Sequence, residues 1–83
     1  MMNCTVRLHW NGALVMEGKA TTVCAYDIAR AHIASNFAGP ELGKYLERHA
    51  SLGALYDHGS MALEYGGPND GGMAHAYVER VQA

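Results

Sequence analysis

"NCTVRLHWNGALVMEGKA", residues 3–20, decides the fold. Cys4, Val6, Leu8 and Trp10 alternate with Thr5, Arg7 and His9, which is the period of a strand with one buried face. Past Asn11-Gly12, Leu14, Met16, Gly18 and Ala20 alternate with Val15, Glu17 and Lys19. Asn-Gly is the strongest short hairpin signal, because both residues tolerate the left-handed backbone a tight turn needs. The parity of the pattern then constrains the turn. A two-residue type I′ loop pairs Trp10 with Ala13 and Leu8 with Val15, and it sets Val6 beside Glu17 on the apolar face. A three-residue loop of Trp10, Asn11 and Gly12, with Gly12 left-handed in a bulge, pairs Leu8 with Leu14 and Val6 with Met16. It also places Thr5 opposite Glu17 and Arg7 opposite Val15. The bulged loop is expected, because it keeps one face continuously apolar. Trp10 then caps the core edge-on while His9 points the other way.

A helix follows the hairpin. Thr21 or Thr22 can cap it, and Ala25, Ile28, Ala29, His32, Ile33 and Phe37 form an apolar stripe suited to lie on a sheet. The alanines imply close approach. Gly39 and Pro40 stop this helix, and Pro40 with Glu41 suits the first turn of another. "PELGKYLERHA" puts Leu42, Tyr45, Leu46 and His49 on one face. Residues 51–59 either extend that helix or supply a loop and a short strand.

Met61, Leu63 and Tyr65 then alternate as a strand, and "GGPNDGG", residues 66–72, is a turn-rich connection. Ala74, Ala76, Val78 and Arg80 alternate with His75, Tyr77, Glu79 and Val81, so the last strand has two usable faces. The order β-β-α-(α)-β-β predicts a single compact α+β domain over residues 1–83. Its antiparallel sheet has four strands, or five if 51–59 contributes one, with one or two helices on one face.

The bulk numbers agree and exclude several classes. A hydrophobic share of 49% with 17% charged residues fits a folded globule and not a disordered chain. Six scattered Lys and Arg and a net charge of −2 supply no basic stripe, so direct nucleic-acid binding is disfavoured. No apolar run has the ~20 residues of a membrane span, and no basic-then-apolar start marks a signal peptide. A cytoplasmic protein whose Cys4 and Cys24 are free, buried thiols is expected.

Chemistry-bearing residues are present but not framed. Five histidines (His9, His32, His49, His58, His75) and two cysteines invite a zinc reading. Structural zinc sites show ligand pairs such as C-x-x-C, however, and the nearest histidines here are nine residues apart. Cys24 lies near a helix N-terminus but is flanked by Val23 and Ala25, and no serine sits in G-x-S-x-G. "YGGPNDGG" lacks the Lys-Ser/Thr and the helix of a phosphate loop, and Asn69 and Asp70 are too few oxygens for calcium. No catalytic residue, metal or cofactor is expected.

Three readings of function remain. The first is a non-catalytic module that docks onto a larger protein or complex and blocks or bridges it. In length, near-neutral charge and ββααββ layout, the chain resembles the small phage-encoded inhibitors called anti-CRISPR proteins, which bind Cas effector subunits. The resemblance is of architecture over the whole chain and shares no motif, so it carries over no residue. It implies an inhibitor whose partner is a protein complex. Turn-borne polar and aromatic residues are the candidate contacts: His9, Trp10 and Asn11 at the first turn, Tyr56, Asp57 and His58 in "YDHG", and Asn69 and Asp70 in the glycine-rich connection. The second reading is a small-molecule binder or minor enzyme, working as a homodimer through His58, His75 and Cys24. The third is an assembly protein that pairs sheet edges, with the C-terminal strand as its expected edge.

Overall fold

The computed structural model describes residues 3–81. Its elements run β1 (Asn3–Trp10), β2 (Ala13–Thr21), α1 (Thr22–Asn36), α2 (Pro40–His49), α3 (Leu52–His58), β3 (Ser60–Gly67), a 3-10 turn (Pro68–Asp70) and β4 (Gly72–Arg80). The strands form one antiparallel sheet in the order β2-β1-β4-β3. The class is α+β, in the expected element order. The shortest dimension of the molecule is 16 Å, enough for one helix layer on one sheet and no third layer.

That single layer explains the core. Cys4, Val6 and Leu8 of β1, Met61 and Leu63 of β3, and Ala74, Ala76 and Val78 of β4 are buried against Ala25, Ala29 and Ile33 of α1 and Leu55 of α3. Leu42 and Leu46 of α2 close the same cluster. Alanine at four of the most central positions (Ala25, Ala29, Ala74 and Ala76, all fully buried) lets α1 lie close on β1 and β4. Thr21 precedes α1 as its N-cap residue but makes no side-chain cap bond. Thr22 is buried in its first turn, and its hydroxyl accepts a hydrogen bond from the Cys4 thiol.

The segment after His49 is helical, not a strand, but it does not simply extend α2. The chain breaks at Ala50, and the Ser51 hydroxyl accepts from the Ala54 N–H to cap α3 afresh. The Tyr26 hydroxyl donates to the Ala50 carbonyl at the break. Gly59 then ends α3 in the left-handed conformation.

Three expectations need correction, the third being the burial of Cys24. First, the turn at Asn11-Gly12 is the two-residue kind, with φ of 51° and 84° and Trp10 opposite Ala13. The bulge that the apolar pattern demands is real, but it lies inside β2 at Val15: His9 faces Leu14, and Leu8 faces Met16. The slip puts Val6 opposite Gly18, Arg7 opposite Glu17 and Thr5 opposite Lys19. The tight turn is favoured because Asn11 then ties the hairpin to β4. Its N–H donates to the Met73 carbonyl at 2.8 Å, and its side-chain oxygen accepts from the Met73 N–H at 2.9 Å. Second, β4 is no edge. It lies between β1 and β3, and the edges are β2 and β3. Cys4 is buried as expected, whereas Cys24 is exposed; both are free. Cys24 precedes Ala25 in the stripe that α1 turns to the sheet, and that phase aims it at solvent.

Candidate partner-binding face

The helices cover one side of the sheet and leave the other side bare. On the bare side the register lines up three rows of side chains across β2, β1, β4 and β3. The first is Leu14, His9, His75 and Glu64; the second is Glu17, Arg7, Tyr77 and Ala62; the third is Lys19, Thr5, Glu79 and Ser60. Side chains in a row lie about 5 Å apart and interact directly.

The middle of this face is aromatic. Tyr77 stacks on His75 with ring centroids 5.9 Å apart and planes 11° from parallel, and it meets His9 edge-on at 5.6 Å. The Arg7 guanidinium donates to Glu17 at 2.6 Å, and His75 Nε2 lies 3.2 Å from a Glu64 oxygen. His9 Nδ1 is buried and has no hydrogen-bond partner among the described residues. A buried polar atom left unpaired costs about 1–3 kcal/mol, which the edge-on packing of the His9 ring on Tyr77 helps to offset. From behind, the His9 backbone carbonyl accepts a hydrogen bond from His32 Nε2 at 2.9 Å, which anchors α1 to β1. Despite this support, Tyr77 is 41% exposed and Leu14 53% exposed. The result is an uncovered surface with an aromatic centre, an aliphatic corner and charges of both signs around them.

The residues expected from sequence are divided between two ends of the molecule. His9, Trp10, Asn11, Asn69 and Asp70 gather at one end, because the β1–β2 turn and the 3-10 turn both cap the end of the sheet where Trp10 pairs with Ala74. Tyr56, Asp57 and His58 end α3, beyond the far end of β3, about 24 Å away along the strand. Only His9 of the eight belongs to the bare-face centre. Asn11 is engaged by Met73, as above. Trp10 is half-buried on the helix side, 5.9 Å from Phe37, which meets Tyr65 at 5.1 Å, which meets Tyr45 at 5.0 Å. Two glycines make room for these rings. At Gly72 (φ 151°) a Cβ would collide with the Trp10 indole, and at Gly66 (φ 103°) with the Phe37 ring. Trp10 is therefore part of a packed aromatic row.

Arg7, Leu14, Glu64, His75 and Tyr77 were not among the expected contacts. Alternation in "MAHAYVE" already assigns His75 and Tyr77 to the face opposite Ala74 and Ala76. What alternation does not give is which strands lie beside them, and so which side chains complete the patch.

Other arrangements are less developed. His75 faces the bare side, whereas Cys24 and His58 belong to the helix layer, so within one copy the sheet separates His75 from the other two residues of the small-molecule reading. Among the described residues no three His, Cys, Asp or Glu side chains come together as a metal-binding group. No helix among them is long and apolar enough to cross a membrane. A shallow groove of about 420 Å3 runs beside α2, lined by Glu41, Lys44, Tyr45, Arg48, His49 and Tyr65. The chain matches no protein-family model, no curated protein and no solved structure.

Proposed function

We propose that the protein is a non-catalytic binding module that docks onto a larger protein through the bare face of its sheet. The observation that carries the reading is Tyr77, held between His9 and His75 on the uncovered face and still 41% exposed. Ring packing fixes its position before any partner arrives, so binding costs little side-chain entropy. Tyrosine with a neighbouring arginine is also the composition of interface centres. The charges around that centre, Glu17, Lys19, Glu64 and Glu79, suit a folded protein surface and not a polyanion. In its most concrete form the partner is a Cas effector subunit, and the protein is an inhibitor of the anti-CRISPR type.

The test begins with tagged protein passed through a host lysate and mass spectrometry of what it retains. Tyr77→Ala and Leu14→Asp should each weaken capture of the same partner by about tenfold or more, with circular dichroism unchanged. Glu47→Lys, on the exposed side of α2, should leave capture intact. The reverse pattern overturns the proposed face. Target cleavage by purified Cas effectors tests the finer reading: inhibition lost in Tyr77→Ala supports it, and no inhibition of any effector removes it.

A further inference from the structure

We infer that two copies of this chain pair through β2, antiparallel and centred on Gly18, to make one continuous eight-stranded sheet. This inference is independent of the reading of the bare face. A sheet of four strands has two edges, and here they are treated differently. The edge of β3 is met by α2 at one point, where the Glu64 N–H donates to the Tyr45 hydroxyl at 2.6 Å. β2 has no such cover along its nine residues, contains no proline and leaves Val15 57% exposed. An uncovered edge of that length is a template for another strand unless something blocks it.

The sequence of β2 selects the partner. An antiparallel pair centred on Gly18 sets Glu17 of each copy opposite Lys19 of the other, and Met16 opposite Ala20. Glu17 and Lys19 both lie on the bare face, so two opposite-charge pairs form side by side, each in cross-strand contact. The same centring pairs residues of one parity with each other, so whichever set of N–H and C=O groups points outward bonds with its own kind. Gly18 itself is otherwise unexplained. Its backbone is ordinary, and a Cβ there would meet only Met16 Sδ, at 3.9 Å. Glycine inside a strand weakens it and often marks a bulge, a bend or a place where another backbone approaches closely; the bulge here lies at Val15 and not at Gly18. Paired glycines at the two-fold axis leave space on the helix side for the two Met16 side chains that flank them. The bulge at Val15 ends the regular edge, which limits the pairing to Met16–Ala20 and stops it from slipping.

Charge reversal tests this directly. Sedimentation equilibrium of the whole chain should give twice the monomer mass of 8.9 kDa. Glu17→Lys and Lys19→Glu should each weaken the dimer roughly thirtyfold, because two attractive pairs become repulsive. The double variant Glu17→Lys/Lys19→Glu should restore it. That rescue separates the dimer contact from the internal Arg7–Glu17 pair, which the double variant still lacks. Circular dichroism confirms that each variant is folded; Lys19→Glu leaves Arg7–Glu17 intact and serves if Glu17→Lys does not fold. A wild-type monomer at the highest concentration reached, or a dimer indifferent to these reversals, overturns the inference.

Discussion

Strands β2 and β4 are both nine residues long and both pair with β1, yet they do opposite work. β4 lies between two strands and under α1, and it buries Gly72, Ala74, Ala76 and Val78. β2 buries none of its nine side chains. Both sequences alternate, so periodicity alone ranks them equally. The difference comes from the helix layer. α1 lies over the centre of the sheet, and a strand's share of the core depends on its place in the sheet order more than on its own pattern.

The sharpest way to break this comparison is to overfill β4. Ala76→Leu places an isobutyl group where α1 leaves no room, and should cost about 3 kcal/mol, read from urea denaturation. A cost under about 1 kcal/mol would mean that α1 stands further from β4 than the packed alanines imply.

Trp10→Ala comes next, with an expected loss of about 2 kcal/mol, below the range for a fully buried ring because the indole is only half covered. Partner capture should fall only in proportion to the unfolded fraction. If stability were unchanged and capture lost, Trp10 would be a contact and not a packing residue.

Tyr77→Ala inverts that pattern. It removes a half-exposed ring from the bare side of β4 and should cost less than about 1 kcal/mol of stability, while capture is lost. Arg7→Gln is the smallest change. It breaks an exposed ion pair that links β1 to β2, and thermal unfolding should register no more than about 0.5 kcal/mol. A loss comparable to that of Ala76→Leu would show that β2 carries stability the burial pattern denies it.

Much of this structure is legible in the sequence, and what is not has definite physical causes. The α1 stripe and the alternation of β1, β3 and β4 are readable because helix and strand periods differ. The need for a bulge was readable as well, since Val6 and Glu17 cannot share a buried face. Its location was not. A bulge at the turn and a bulge at Val15 repair the same parity fault, and the bonds between Asn11 and Met73 that decide between them join residues 62 apart in the chain. The same non-local dependence hid the candidate face. "YDHG" and "HWNG" each look like sites because their polar and aromatic residues are neighbours in sequence. The patch around Tyr77 instead draws one or two residues from each of four strands. Its members are adjacent only once the order β2-β1-β4-β3 is known. The misplaced edge has the same origin: the final strand of a chain is as free to lie in the middle of a sheet as the first.

The most direct test of the central claim is amide chemical-shift mapping of the isotope-labelled protein, with and without its captured partner. Binding through the bare face predicts that the largest perturbations fall on Arg7, His9, Leu14, His75 and Tyr77, with α1, α2 and α3 nearly unchanged. Perturbations confined to the helices, with the Tyr77 amide unmoved, would contradict the account.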